Sequence, residues 1–89
     1  MRAVMTVIGP DRVGIIAGVS ALLAEKNVNI LDLNQTIMGG IFTMTLLVDT
    51  AEANRPFDEI REELKKHGEE RNLSIRIQRE DTFAAMHRI

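Results

Sequence analysis

The spacing of hydrophobic and polar positions changes several times along this chain, and each change marks a predicted element. Residues 3–8 form a short apolar run, rich in β-branched side chains and closed by Gly-Pro, which predicts a mostly buried strand. From residue 12 to about residue 26 the apolar positions follow helical spacing, with Asp11 as the candidate N-cap. This part of the chain is therefore predicted to form a strand, a turn and a helix.

The middle of the chain alternates with the period of two that is typical of strands. Residues 28–38 are predicted to form a half-exposed strand, and residues 41–49 are predicted to form the next one. Two glycines, at positions 39 and 40, predict a tight hairpin turn, so these strands should pair antiparallel. The apolar face of the first of them is predicted to contain Leu31, Leu33 and Ile37.

A second helix is predicted over about residues 56–71, with Gly68 in its interior at a cost of roughly 1 kcal/mol. Residues 73–78 alternate again and predict the last strand. Each helix is followed by an asparagine, Asn27 or Asn72, where helices often end in a left-handed residue. The predicted order of elements is βαββαβ.

This order predicts an α+β fold, a ferredoxin-like sandwich in which two helices cover one face of a four-stranded antiparallel sheet. The other face is predicted to be polar and to meet water, with Asp32, Asn34, Thr36, Thr43, Thr45, Arg76 and Gln78 pointing outward. A short helical tail follows, with an apolar edge of Phe83, Met86 and Ile89. We therefore divide the chain into one domain, residues 1–79, and a C-terminal tail, residues 80–89.

Composition and charge argue against several classes of function. The 89 residues carry a net charge of −2 with both signs mixed, and they include three Phe but no Tyr or Trp, so we expect no nucleic-acid partner. There is no cysteine, which excludes disulfides and thiol catalysis. His67 and His87 are isolated in the sequence, so we expect surface residues, no metal site and no cofactor. The first apolar run is too short for a signal peptide or a membrane span, and we expect a cytoplasmic protein without a membrane partner.

The turn after the first strand is the best candidate for a binding site. The spacing of Gly9 and Gly14 is similar to that of a P-loop, but the lysine and the hydroxyl residue that hold phosphate and magnesium are missing. The start of the helix beside Gly14 offers unpaired backbone N–H groups and a partial positive charge. This turn is therefore suited to one small anion such as a carboxylate.

Two segments carry a resemblance to a known family. Residues 7–19, Val-Ile-Gly-Pro-Asp-Arg-Val-Gly-Ile-Ile-Ala-Gly-Val, and residues 29–36, Asn-Ile-Leu-Asp-Leu-Asn-Gln-Thr, resemble ACT domains, the βαββαβ amino-acid-sensing modules of metabolic regulation. The chain is most similar to small stand-alone ACT-domain proteins of bacteria and archaea, related to glycine cleavage repressors. The resemblance implies dimers that bind small ligands at an interface, where the first loop and the start of strand two form the site.

Eight residues are the candidate ligand-binding residues on this reading: Asp11, Arg12, Val13, Gly14, Ile15, Asn29, Ile30 and Leu31. A ligand carboxylate would lie on the start of the helix, and Asp11 and Asn29 would accept hydrogen bonds from an ammonium group. Structural alternatives stay open, because Asp11 could only cap the helix, Gly14 could only permit the turn, and Arg12 could simply be solvated. Gly18, inside the first helix, predicts close approach by another backbone.

The leading functional hypothesis is a homodimer that binds an amino acid and changes its contacts with a regulated protein, without catalysis. One alternative is an assembly element with a vestigial ligand site. The other is an acylphosphatase-like hydrolase that would use Arg12 with Asn29 or Asn34. Asp11 disfavours the hydrolase, because its negative charge lies where a phosphate should bind.

Overall fold

The computed structural model describes residues 1–10 and 12–81 and contains the predicted βαββαβ order. Its elements are β1 (Arg2–Pro10), α1 (Ile15–Glu25), β2 (Asn29–Met38), β3 (Ile41–Asp49), α2 (Phe57–Glu70) and β4 (Ser74–Arg79). The strands form one antiparallel sheet in the order β2-β3-β1-β4. The predicted ferredoxin-like sandwich is confirmed.

The core lies between the helices and one face of the sheet. Alternating residues of the two central strands point into it, because successive side chains of a strand face opposite sides. These residues are Ala3, Met5 and Val7 of β1, and Phe42, Met44, Leu46 and Val48 of β3. From the helices, Val19, Leu23, Ile60 and Leu64 complete this layer, each fully covered.

The first helix begins later than predicted. Its N-cap is Gly14, which has a φ of 91°, and the cap makes no side-chain hydrogen bond. This left-handed conformation is not helical, so the helix begins after Gly14, and its first hydrogen bond runs from the Gly18 N–H to the Gly14 carbonyl at 2.9 Å. The N-cap position therefore belongs to Gly14 and not to Asp11, which lies outside the described residues.

Both helices end as the asparagines predict. Asn27 and Asn72 have φ values of 57° and 58°, the left-handed conformation that turns the chain from each helix into the following strand. The Asn27 side chain also donates to the Glu52 carbonyl at 2.7 Å, which fixes the loop before α2 against the end of α1. Nearby, the buried Lys26 forms an ion pair with Glu63 and so connects α1 to α2.

The two helical glycines have different surroundings. A Cβ atom on Gly68 would lie 2.6 Å from the Leu73 carbonyl oxygen, so α2 needs a glycine where it packs on the start of β4. A Cβ atom on Gly18 would meet only the His67 ring, at 3.6 Å. The prediction that another backbone approaches Gly18 is therefore wrong within this chain.

Strand β2 differs from its prediction as a half-exposed strand. It is an edge strand, and every residue except Ile30 is exposed. A bulge at Leu31 shifts the register, so this residue does not share a regular face with Leu33 and Ile37. Leu33 and Ile37 do share the helix-facing side of the sheet with the core residues of β3, but the helices leave both of them partly exposed.

The outer face of the sheet carries the predicted polar residues, but it also carries the apolar residues Val4, Ile8, Met38, Ile41 and Leu47. No helix in the described part of the chain is long and apolar enough to cross a membrane. The predicted tail helix, with Phe83, Met86 and Ile89, lies outside the described residues, as does His87.

Candidate functional site

In the loop between β1 and α1 the backbone is accessible to solvent, because the described side chains of the loop do not pack over it. Val13 is fully exposed at its tip, and Arg12 is exposed beside it. Nothing lies within 4 Å of the position that a Cβ atom on Gly14 would take. A ligand can therefore reach the backbone here, where the first N–H groups of α1 have no partner within the helix.

Two cavities flank this loop. The first, which we name the α2 cavity, has a volume of about 220 Å³ and lies between the loop, α2 and the start of β4. Its principal lining residues are Arg12, Gly14, Ile15, His67, Arg71 and Leu73. The second, the β2 cavity, has a volume of about 240 Å³ and is lined by Arg12, Gly14, Ile15, Gln35, Ile37 and Phe42, among others. Both are smaller than the roughly 300 Å³ at which pockets for drug-sized ligands begin, so each suits a molecule of few heavy atoms.

The α2 cavity is positively charged. Arg71 donates from Nη1 to the His67 carbonyl at 3.2 Å and lies 3.7 Å from a Glu70 carboxylate oxygen. Partial burial, together with the nearby Arg71 cation, lowers the pKa of His67 below its ordinary value of 6.5, although Glu70 opposes this shift. His67 is therefore mostly neutral at pH 7, and the two guanidinium groups supply the positive charge.

The structure does not bring the two halves of the predicted site together within one chain. Asn29 lies opposite Asp49, at the end of the sheet where β1 begins. Pro10 and the loop lie beyond Ile41 and Met38, at the other end. The ten residues of β2 separate the two ends by roughly 30 Å, at about 3.3 Å per residue.

The sequence model of the ACT domain family matches residues 2–78. The chain belongs to the ACT domain family. A UPF0237 protein of Listeria innocua is 55% identical over 89 residues, the full length of both chains. The solved structure of an ACT domain protein from Streptococcus pneumoniae is similar, with a TM-score of 0.80 and 37% identity over 100% of this chain and 96% of that chain. A putative glycine cleavage system transcriptional repressor is also similar, with a TM-score of 0.74 and 25% identity over 86% of this chain and 44% of that chain.

These findings confirm the predicted family and its relation to glycine cleavage repressor proteins. They also agree with the geometry, because the ACT domain has the same element order and sheet. In this ACT domain the candidate residues separate into two groups. Arg12, Val13, Gly14 and Ile15 surround the loop, and Asn29, Ile30 and Leu31 begin β2 at the far end of the sheet.

At the start of β2, the side chain of Asn29 has no structural role in the described part of the chain. Asn29 is exposed, and its amide makes no hydrogen bond to the described part of the chain. Ile30, by contrast, packs partly against the core opposite Val48. The alternative in which Asn29 ties the start of the strand to nearby backbone therefore has no hydrogen bond to support it.

The hydrolase alternative requires Arg12 to converge with an asparagine. Asn29 lies at the opposite end of the sheet, and Asn34 pairs with Thr45 on the outer face, away from both cavities. Within residues 1–10 and 12–81 no such pair forms. The same residues also contain no group of three or more His, Asp or Glu that could hold a metal ion.

The sequence-based prediction of the site did not include the residues of α2 that lie beside the β1–α1 loop. His67 was expected at the surface, but it is half-buried between the helices and lines the α2 cavity together with Arg71. The predicted topology already indicated that His67 and Arg71 lie near this loop. Since β4 pairs with β1, the turn from α2 into β4 must lie beside the end of β1, as the pairing of Ile8 with Ser74 shows.

Proposed function

We propose that this ACT domain is a regulatory module that acts as a homodimer, binds a small amino acid and has no catalytic activity of its own. The observation that carries the proposal is the free edge of β2. All but one of its residues are exposed, the edge carries neither lysine nor proline, and after the bulge at Leu31 residues 32–38 keep a regular register with β3. On the helix-facing side Leu33 and Ile37 are 37% and 55% exposed, which leaves apolar area for a partner to cover.

A second copy of the chain fits this edge. Two β2 strands related by a two-fold axis can pair antiparallel, since such an interface uses the same surface on both subunits. The pairing would satisfy the backbone groups of the edge and cover Leu33 and Ile37. The opposite edge, β4, is a poorer candidate because it is short and carries Arg76 and Arg79.

The same pairing would bring the two halves of the predicted site together. Antiparallel alignment sets the partner's Asn29 beside Met38, at the end of the sheet that carries the β1–α1 loop. The β2 cavity opens at this end, between the start of α1 and Ile37. One protomer thus supplies residues 12–15, and its partner supplies residues 29–31.

An amino acid meets the chemical demands of this composite site. The unpaired N–H groups at the start of α1 and the Arg12 guanidinium favour its carboxylate. The amide oxygen of the partner's Asn29 can accept a hydrogen bond from its ammonium group, and Asp11, outside the described residues, is the second proposed acceptor. Ile15, which lines the β2 cavity, and the partner's Leu31 leave room for a small apolar side chain, and Val13 lies exposed at the tip of the loop.

Regulation would follow from the position of the ligand between subunits. A ligand that contacts both protomers binds the dimer more tightly than the monomer, so it stabilises the dimer and fixes the orientation of the two domains. This orientation could then be recognised by a regulated protein. The similarity to a putative transcriptional repressor of the glycine cleavage system supports a regulatory role of this kind.

The oligomeric state gives the first test. Light scattering at micromolar concentration is expected to return twice the 10.0 kDa chain mass, and Leu33→Asp is expected to return 10.0 kDa. Thr45→Asp is the matched control, because Thr45 is exposed on the outer face of the sheet and belongs to β3, the strand inside the free edge. A folded wild-type monomer would contradict the proposal.

Ligand binding gives the second test. A thermal-shift screen of the twenty amino acids should find one that stabilises the fold, by about 2.7 kcal/mol at 100 times its dissociation constant. Asn29→Ala should weaken that binding roughly 5- to 150-fold, the equivalent of about 1–3 kcal/mol, while Asn34→Ala on the outer face should not. A stable dimer that binds none of the amino acids would instead favour an assembly element with a vestigial site.

A further inference from the structure

We infer that the α2 cavity is a second ligand site, contained within one chain, that binds a phosphate dianion, either free or as part of a small phosphorylated metabolite. The cavity lies on the opposite side of the β1–α1 loop from the free edge of β2 and needs no partner subunit, although Arg12 lines both cavities. The inference therefore goes beyond the proposed amino-acid site.

The charge of the cavity points to an anion. Arg12 comes from the loop and Arg71 from the C-terminal end of α2, so two guanidinium groups line the cavity from different elements. Its lining residues in the described ranges include no carboxylate, and Asp11, which precedes Arg12 in the sequence, lies outside those ranges. No Asp or Glu of the described ranges, residues 1–10 and 12–81, forms an ion pair with Arg12.

The donors that remain free favour a tetrahedral anion. A guanidinium carries five N–H donors, and Arg71 uses one nitrogen, Nη1, for its contacts to the His67 carbonyl and Glu70. Donors that come from separate elements suit the oxygens of a phosphate, which point in several directions, better than the single plane of one carboxylate. The two guanidinium groups also favour a dianion over a monoanion, although Glu70 offsets part of the Arg71 charge.

The size and the apolar lining limit the rest of the ligand. A volume of about 220 Å³ admits a phosphate with a few carbon atoms and is too small to enclose a whole nucleotide. Leu73, 6% exposed, and Val13 provide apolar contact beside the charged groups. A phosphomonoester with a short carbon chain is the ligand that uses all of these features.

His67 provides a reporter within the cavity. It is faced by Arg71 and Glu70 on its own helix, by Arg12 from the loop and by the uncharged Gly18 from α1. A bound dianion offsets the Arg71 cation, which now lowers the pKa of His67. Binding is therefore expected to raise that pKa, and by linkage protonation of His67 is expected to tighten binding.

The experiment is a titration of the full chain with inorganic phosphate at fixed pH and constant ionic strength, followed by the NMR signals of the His67 ring. The His67→Gln variant assigns those signals. We expect a saturable shift that an equal increment of chloride does not produce, which separates binding from screening. A parallel titration with sulfate, which stays a dianion across the neutral range, measures the rise of the His67 pKa.

Variants test the assignment of the cavity. Arg12→Gln and Arg71→Gln should each weaken phosphate binding roughly 10-fold or more, since each removes a charge-assisted hydrogen bond. Arg76→Gln is the matched control, because Arg76 is an exposed arginine on the outer face of β4. A parallel titration with glycerol phosphate distinguishes the two possible ligands. If glycerol phosphate binds more tightly than inorganic phosphate, the ligand is a phosphorylated metabolite; if it binds more weakly, the ligand is the free ion.

The inference would be overturned if phosphate produced no saturable shift of the His67 signals, or if chloride produced an equal shift. It would also be overturned if both arginine variants bound phosphate with unchanged affinity. Asn29→Ala distinguishes this failure from failure of the proposed function. The variant should lose amino-acid binding and keep phosphate binding, because Asn29 lies at the far end of the sheet from this cavity.

Discussion

The two helical glycines form a natural pair for testing how helix α2 packs on the sheet. Replacement of either glycine by alanine adds the same methyl group and the same gain in helix propensity, about 0.5–1 kcal/mol. The surroundings decide the sign of the net effect. At Gly18 the methyl would lie 3.6 Å from His67 Nε2 and 3.8 Å from Cε1, which are ordinary van der Waals distances. Gly18→Ala is therefore expected to stabilise the fold by up to about 1 kcal/mol.

At Gly68 the same methyl would lie 2.6 Å from the Leu73 carbonyl oxygen and 3.0 Å from Ile75 Cγ1. The neighbouring backbone cannot move freely, since the Leu73 N–H donates to the Gly68 carbonyl at 2.8 Å and the Arg71 N–H donates to it at 2.9 Å. Overpacking of this kind costs about 1–3 kcal/mol, which exceeds the gain in propensity. Gly68→Ala is therefore expected to destabilise the fold by about 1–2 kcal/mol.

Urea and thermal unfolding of both variants measure the difference at one protein concentration, because association changes the apparent stability. A separation of about 2–3 kcal/mol corresponds to a difference in Tm on the order of 10–20 °C for a domain of this size. A stabilised Gly68→Ala variant would refute the packing argument. A destabilised Gly18→Ala variant would show that something outside this chain, such as a partner backbone, approaches that helix face.

Two further predictions concern the ends of the helices. The Lys26 ammonium lowers the pKa of Glu63 below its ordinary value of 4.5, so their ion pair stabilises the fold above that pH and is lost as the pH falls through the lowered value. The difference in free energy of unfolding between wild type and Glu63→Gln should therefore shrink in urea titrations between about pH 6 and about pH 3, and a constant difference would argue against the pair. Because Asn72 has a φ of 58°, Asn72→Ala should cost about 1 kcal/mol in thermal unfolding while Asn72→Gly should be neutral within a few tenths, and equal effects would contradict the conformational reason.

The fold could be predicted because the turn residues and the apolar spacing of the sequence indicate the same order of helices and strands. The glycines at positions 39 and 40 have φ values of 57° and 81°, as a tight hairpin requires, and the two asparagines adopt the left-handed conformation at the helix ends. The start of α1 was misplaced because apolar spacing continues through residues 12–14 although Gly14 breaks the helix. The spacing of apolar residues indicates which side chains can share one face of a helix. The residue at which the helix begins is decided by the backbone conformation of Gly14.

The exposure of β2 could not be predicted from its alternating pattern. Leu33 and Ile37 read as core positions, and they do share a face with the buried residues of β3. Whether a helix covers that face depends on the order of strands in the sheet, and the order places β2 at the edge. An exposed apolar pattern on an edge strand is the feature on which the proposed dimer rests.

The position of the candidate site follows from strand direction. β1 and β2 each pair antiparallel with β3, so they run parallel to each other. The end of β1 and the start of β2 must therefore lie at opposite ends of the sheet, whatever the side chains are. A site that uses both the loop at Gly14 and the side chain of Asn29 cannot form within one such domain and requires a second copy. The predicted element order already contained this constraint, and for the proposed function it means that the ligand site depends on how two chains pair.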